Sequence, residues 1–323
     1  MNLLPVFTNS KRPVLVAGPC SAETEEQVFA TAKALAPQGI DLFRAGIWKP
    51  RTRPGTFEGA GIAGLRWLQR VREETGLRVT TEVARGQHVE EALRHEIDVL
   101  WIGARTSANP FSVQEISDAL SGLDLPVLIK NPVNADLQLW IGAIERVYKA
   151  GIRRIAAVHR GFSKYGEKNY RNVPLWQIPM ELKRLFPVLQ IICDHSHICG
   201  RRDNLAAVAQ RALDLNYDGL MTEVHPCPGD AWSDPRQQVT PARYQQLVSR
   251  LIVRRPGTDD VQFWRNLDHL RQQIDEIDDE VFDLLSARMK YSELIGASKR
   301  ESNISIYQPE RWNRILERVL SRG

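Results

Sequence analysis

Pro126-Val127-Leu128-Ile129-Lys130 is an apolar run that ends on a lysine, with no turn residue in between. A run so short and so continuously apolar reads as a strand buried on both faces. The same device recurs along the chain. Strand-like runs at 14–17, 42–45, 79–83, 99–102, 127–129, 154–158, 189–193 and 219–224 lead into polar side chains. In order these are Cys20, Arg44 with Lys49, Glu82, Arg105, Lys130, His159 with Arg160, Asp194 with His197, and Glu223. Amphipathic segments such as 27–35, 65–74, 137–150 and 204–215 lie between them. Eight strands alternating with helices predict an α/β fold, a (β/α)8 TIM barrel. An open doubly wound sheet would not account for a polar terminus on every strand. In a parallel barrel those termini share one rim, where active sites are built.

The 323 residues suffice for one large domain and a small one. Hydrophobic content of 43% and charged content of 25% belong to an ordinary soluble globular protein. The net charge of +4 is spread among nearly equal numbers of cations and carboxylates, which gives no case for nucleic acid. Residues 1–12 lack the basic segment and apolar core of a signal peptide, and no run approaches a membrane span. Cys20, Cys193, Cys199 and Cys227 fit neither a disulfide framework nor a Cys-x-x-Cys zinc site. A reduced, cytoplasmic protein is expected.

The pattern changes after Leu251. Residues 254–260, Arg-Arg-Pro-Gly-Thr-Asp-Asp, have the composition of a linker, so domains are expected at 1–255 and 256–323. From Val261 a helix runs to about residue 299, with Leu267, Leu270, Ile274, Ile277, Val281, Leu284 and Leu285 on one stripe. A helix so long, acidic on its outer face, must bury that stripe against a partner helix. Residues 302–308 break the pattern, and Pro309 suits the first turn of a second helix over 310–320.

On the rim, Cys20, His197, Glu223 and Asp234 make a mixed thiolate, imidazole and carboxylate set. Such a set holds Mn²⁺, Fe²⁺, Co²⁺ or Zn²⁺. Arg44, Lys49, Arg51, Arg105, Lys130 and Arg160 sit at or just past strand ends. An inward Lys130 needs an anionic partner. Two phosphorylated substrates, one also a carboxylate, carry about four to five negative charges at ~1.5–2 per phosphate. The cations match that load.

These residues carry a resemblance. Gly18-Pro19-Cys20-Ser21-Ala22-Glu23, Phe43-Arg44-Ala45-Gly46-Ile47-Trp48-Lys49-Pro50-Arg51-Thr52 and Ile102-Gly103-Ala104-Arg105 resemble 3-deoxy-D-arabino-heptulosonate-7-phosphate (DAHP) synthase. So do Asp194-His195-Ser196-His197, Glu223-Val224-His225-Pro226 and Ser233-Asp234, over about residues 13–251. The resemblance implies condensation of phosphoenolpyruvate with erythrose 4-phosphate, the first step of the shikimate pathway. It makes Cys20, His197, Glu223 and Asp234 the ligands of one divalent ion, Mn²⁺ first among candidates. Arg44, Lys49, Arg105, Lys130 and Arg160 become the phosphoenolpyruvate cradle, Arg51 and Thr52 take the aldose phosphate, and Pro50, Gly103 and Ala104 are further substrate-binding positions. Lys49, Cys20, His197 and Asp234 are then the catalytic set, with Lys49 in proton transfer at a pKa lowered by neighbouring cations. His159 stands where many relatives carry an acid. The polar segment 162–173 is expected to be a mobile loop over the site.

Two other readings compete for the barrel. 3-Deoxy-octulosonate-8-phosphate synthase shares barrel and phosphoenolpyruvate, but typically has Lys-Ala-Asn-Arg where this chain has Lys49-Pro50-Arg51-Thr52. Gly59-Ala60-Gly61-Ile62-Ala63-Gly64 is a literal G-x-G-x-x-G. A dinucleotide site needs its first glycine directly after a strand, and here a loop intervenes, so no nucleotide cofactor is expected.

On the long helix Arg271 and Arg288 are 17 positions apart, or about 25 Å along the axis, too far to clasp one small ligand. Arg288 and Lys299, 11 apart, lie on nearly the same face. A pocket using all three draws Arg271 from a second subunit, which links ligand binding to a homodimer or higher homo-oligomer. Arg271, Arg288, Lys299, Gln308 and Arg311 are similar to the chorismate-binding positions of all-helical chorismate mutase. The resemblance implies binding of chorismate or prephenate, as a mutase or as a feedback device, with a bare dimerisation module as the alternative. That family's third helix, which brings a Gln to the ether oxygen, has no counterpart before Gly323. Full mutase activity is therefore not expected of these residues.

Overall fold

The computed structural model describes residues 1–8, 13–49, 55–255 and 257–321. Eight parallel strands close into a barrel in sequence order. They are β1 (Val14–Gly18), β2 (Leu42–Arg44), β3 (Val79–Val83), β4 (Val99–Ile102), β5 (Val127–Lys130), β6 (Ile155–His159), β7 (Gln190–Asp194) and β8 (Gly219–Glu223). The ring closes where β1 pairs with β8, from Val14 beside Gly219 to Gly18 beside Glu223. The strands are apolar throughout because both of their faces are buried. Val16, Leu42, Trp101, Leu128, Val158 and Ile192 form one cluster, and their chain neighbours Ala17, Phe43, Leu100, Ile129, Ala157 and Ile191 form another. Alternation along a strand sends the first set into the barrel and the second toward the helices.

The N-terminal segment stoppers the lower end of the barrel. Val6 and Phe7 belong to the interior cluster, and their backbone N–H groups both donate to Gln190 Oε1, at 2.9 and 3.0 Å. The outer helices are capped as their sequences suggest. Asp136 accepts from Leu139 N ahead of the helix Leu137–Lys149, and Asn109 from Phe111 N ahead of Pro110–Leu120. Trp140, fully buried, donates its indole N–H to the Ile129 carbonyl at 3.1 Å and locks its helix onto β5.

The glycine-rich stretch 59–64 serves packing. A Cβ on Gly59 would lie 2.1 Å from the Ile47 carbonyl oxygen, and one on Gly64 would lie 2.6 Å from the Ile47 side chain. These glycines let the chain after β2 fold back over Ile47 before the helix Ile62–Thr75 begins.

Contacts divide the chain into two units, Met1–Arg254 and Arg255–Gly323. The second contains the long helix Val261–Glu301 and the short helix Pro309–Leu320, and neither has a buried residue. Asp260 caps the long helix by accepting from Gln262 N and Phe263 N. Among the described residues no helix is long and apolar enough to cross a membrane.

Candidate active site and metal centre

Arg44 ends β2 inside the barrel mouth with its side chain 1% exposed, so its charge requires partners. Its Nη2 lies 3.2 Å from Glu223 Oε1 and donates to the Cys20 carbonyl at 3.2 Å. Lys130, at the end of β5, donates to Asp194 Oδ2 at 2.8 Å. Both cations stand against one indole, with Arg44 4.9 Å and Lys130 5.5 Å from the Trp101 ring centre. Trp101 is fully buried, and its N–H donates to Glu82 Oε2 at 3.0 Å. The ring is therefore a fixed wall shared by two charged side chains.

Gly103 follows β4 and leads into the helical turn Ala104–Ser107, which carries the exposed Arg105. A Cβ on Gly103 would meet Glu82 Oε1 at 2.0 Å. Arg160, just past β6, is buried, and its backbone N–H donates to Asn131 Oδ1 at 2.7 Å. Burial, aided by Arg171 and Arg105, pushes its guanidinium down to about 10 against the pull of Asp194. A cation held among cations, with its charge disfavoured by burial, gains most when an anion arrives.

Cys20, His197, Glu223 and Asp234 each offer one ligand atom, and these atoms lie within 4.8 Å of one another. Zn²⁺-type ligand distances of ~2.0–2.3 Å keep opposite ligands within about 4.6 Å, so only a small contraction is needed. Glu223 Oε1 is the sharper sign. It is buried with no hydrogen-bond partner, 3.2 Å from Arg44 and 3.6 Å from His197 Nε2. Arg44 meets part of its charge, but no donor is aligned with this oxygen, and a coordinated ion would supply the missing partner. His197 turns Nε2 to the cluster and holds Nδ1 2.9 Å from Asp194 Oδ2, near but out of hydrogen-bond alignment. Burial lowers the His197 pKa against the pull of Asp194 and Glu223, and neutral imidazole is the ligand form. The donor set and its geometry fit a divalent transition ion.

The Cys20 thiol is pushed up to about 12 by burial and by Glu223. It donates to Asp234 Oδ2 at 3.3 Å, and Lys49 Nζ lies 2.8 Å from its sulfur. Lys49 departs from expectation. Burial pulls its pKa down, but Cys20, Glu223 and Asp234 outweigh burial and the repulsion of Arg44, so the pKa is raised. Its nearest groups are anions and potential anions, which the linear sequence, rich in cations here, conceals.

His159 faces away from the mouth. Its Nε2 bonds the Pro174 carbonyl at 2.6 Å and its Nδ1 the Tyr217 hydroxyl at 2.9 Å, amid Phe162 and Trp176. Burial pushes its pKa down to about 3, so it stays neutral and structural. The segment after β6 is clasped at its base, where Phe162 and Val173 pair antiparallel. Pro50, Arg51 and Thr52 lie outside the described residues.

Three participants were not singled out as site residues in the sequence. Asp194 anchors both Lys130 and His197. Trp101 backs the cations. Arg171 reaches Asp234 Oδ1 at 2.9 Å. The first two sit at inward strand positions, a signal available from alternation, whereas Arg171 comes from a loop with no periodicity to read.

In the second unit, Arg271 Nη1 bonds Asp268 Oδ1 at 3.3 Å, and Lys299 Nζ donates to the Ile306 carbonyl at 2.9 Å across the turn between the helices. Arg288, Gln308 and Arg311 are exposed, and Gln308 occupies the cap position of the short helix.

Comparison with known proteins agrees with this geometry. Residues 6–253 match the model of the DAHP synthetase I family, and residues 270–323 that of chorismate mutase type II. Phospho-2-dehydro-3-deoxyheptonate aldolase of Thermotoga maritima is 30% identical over 237 residues, which cover 73% of this chain and 68% of that protein. A crystal structure of a protein so named from the same organism superposes with a TM-score of 0.67, covering 73% of this chain and 67% of that one. 2-Dehydro-3-deoxyphosphooctonate aldolase of Syntrophotalea carbinolica is 27% identical, over 79% of this chain and 97% of its own length.

Proposed function

We propose, because this chain belongs to the DAHP synthetase I family, that its barrel condenses phosphoenolpyruvate with erythrose 4-phosphate. The products are DAHP and inorganic phosphate, with one water consumed. The observation that carries the reading is the convergence of four ligand atoms within 4.8 Å beside Arg44 and Lys49.

Arg44, Lys130, Arg160 and Arg105 hold the phosphate and carboxylate of phosphoenolpyruvate, with guanidinium forks matching planar and tetrahedral oxyanions. Gly103 and Ala104, where β4 gives way to the turn that carries Arg105, are assigned to substrate binding on the family resemblance. Glu223, 3.2 Å from Arg44, and Asp194, 2.8 Å from Lys130, partly neutralise the cradle. Pro50, Arg51 and Thr52 are assigned to the aldose phosphate on the family resemblance. Cys20, His197, Glu223 and Asp234 would hold one divalent ion, with Mn²⁺ the first candidate and Fe²⁺, Co²⁺ and Zn²⁺ the alternatives, which would supply Lewis acidity toward the aldehyde carbonyl. The Lys49 ammonium lies 2.8 Å from the Cys20 sulfur, at the edge of the four-ligand cluster. It is placed to deliver a proton to the aldehyde oxygen as the enol carbon forms the new bond and the C=O π bond breaks; water then adds at C2 and inorganic phosphate leaves.

A coupled assay for phosphate release tests this. Turnover is expected with erythrose 4-phosphate, lost on chelation and restored by Mn²⁺. Equal or greater turnover with arabinose 5-phosphate would transfer the barrel to the octulosonate reading, which the 27% identical relatives keep in view. Turnover undiminished by exhaustive chelation would remove the metal assignment.

For the second unit we propose binding of chorismate or prephenate by Arg271, Arg288, Lys299, Gln308 and Arg311, in a homodimer or higher homo-oligomer. Support comes from the chorismate mutase type II match and from the exposed stripe of Ile274, Ile277 and Val281, each 45–59% accessible in the single chain. A dimeriser without ligand function is the second reading. Titration with a bicyclic transition-state mimic separates them, because a pure dimeriser takes up none.

A further inference from the structure

Gln237 is 1% exposed, and both ends of its side-chain amide are engaged. Its Oε1 accepts from Arg171 Nη1 at 2.7 Å, and its Nε2 donates to Glu223 Oε2 at 2.6 Å. The same Arg171 nitrogen lies 2.9 Å from Asp234 Oδ1. One amide and one guanidinium thus tie down the outer oxygen of each carboxylate in the four-ligand cluster. The inner oxygens are left facing the cluster. Asp234 Oδ2 stands 3.3 Å from the Cys20 sulfur and 4.0 Å from His197 Nε2. Glu223 Oε1 stands 3.6 Å from the same nitrogen with no hydrogen-bond partner.

We infer that Arg171 and Gln237 are positioning residues that present one oxygen of Glu223 and one of Asp234 to the metal ion, each carboxylate binding through a single atom. The inference rests on the proposed metal reading of that cluster.

Two further features support a built arrangement. Asp234 has a φ of 49°, the left-handed region that an L-residue occupies only when its surroundings hold it there. Its ion pair with Arg171 is such a hold. Arg171 in turn is seated against Gly200, where a Cβ would lie 2.4 Å from the Arg171 Cβ, and its backbone N–H donates to the Ile198 carbonyl at 3.0 Å. Arg171 belongs to the loop after β6, while its two clients lie on and after β8. The loop therefore meets the ion through these two side chains and not by ligation.

Without Gln237, Glu223 loses the hydrogen bond on its outer oxygen and is free to turn either oxygen inward. Without Arg171, Asp234 loses its main restraint and Gln237 loses the acceptor contact that sets its amide. Groups that orient metal ligands are worth about 10–100-fold in metal affinity.

The experiment uses the full chain, stripped of metal and titrated with Co²⁺ and with Mn²⁺. Co²⁺ reports geometry through its ligand-field bands, and thiolate ligation through a charge-transfer band. Arg171→Ala and Gln237→Ala are each expected to bind about 10–100-fold more weakly, with altered ligand-field bands and the thiolate band retained. The double variant is expected to be little worse than the weaker single one, because both act in one network. Affinities within about twofold of the parent and an unchanged cobalt spectrum overturn the inference. Cys20→Ser tests the underlying reading separately. If the parent shows no thiolate band that this change removes, the ion is not at this cluster and both readings fall. Thermal melts check folding, and if Gln237→Ala does not fold, Arg171→Ala, with a side chain 40% exposed, carries the test.

Discussion

Lys49 is the residue whose chemistry depends most on what surrounds it. Its ammonium sits 2.8 Å from a thiol and beside two carboxylates, which is why it holds its proton. Lys49→Met is expected to abolish turnover while Co²⁺ binding persists, since the lysine is not itself a ligand. Near-normal turnover in that variant would end its assignment as acid. His159 gives a prediction about pH. Its folded pKa of about 3 lies below the unfolded value near 6.5, so only the unfolded chain takes up the proton between those limits. Stability from this group is complete above pH 6.5 and falls as pH drops toward 3, by ~1.4 kcal/mol per pH unit. Urea denaturation at pH 7, 6 and 5 should show His159→Gln less stable at neutral pH but with a shallower slope, the difference growing toward ~1.4 kcal/mol per pH unit near pH 5. Parallel slopes would show that the proton uptake lies elsewhere.

At the scale of elements, the barrel separates its tasks by the parity of strand positions. Arg44, Glu82, Lys130, Asp194 and Glu223 continue the inward sets of their strands, one or two steps above the apolar interior. Their outward neighbours anchor helices. Gly103 shows how tightly the upper layer is filled, because a methyl group there would collide with Glu82 and through it disturb Trp101. Gly103→Ala is expected to lower kcat/KM for phosphoenolpyruvate by about 10²-fold, the effect of an ~1 Å displacement at a reacting centre. Steady-state kinetics beside a thermal melt will check this, and unaltered kinetics would refute the assignment of Gly103 to substrate binding. Trp140→Ala belongs to the outer layer. It empties a fully buried site and removes the bond to Ile129, for an expected loss of about 3–5 kcal/mol in denaturant titrations.

For the molecule as a whole, the long helix of the second unit, taken by itself, exposes an apolar stripe. Removing the residues after Arg255 is expected to leave condensation intact, to lower the solution mass to that of fewer subunits, and to relieve inhibition by chorismate or prephenate. Inhibition unchanged in the truncated protein would remove the regulatory role. Much of the candidate site was legible in the chain, since a buried strand ending on Lys130 or Glu223 announces an inward charge. The eight strands and the change of pattern after Leu251 follow from local rules of periodicity, whereas the four candidate ligands were joined into one set by the family resemblance. What neighbours do to one another was not legible. The raised pKa of Lys49, the neutral His159 and the bracing of two carboxylates by Arg171 and Gln237 join residues as far apart in the chain as Lys49 and Asp234. Periodicity encodes which face of an element is buried. Only closure of the barrel decides which charges meet there, because electrostatic energy depends on distances in space that no local pattern records.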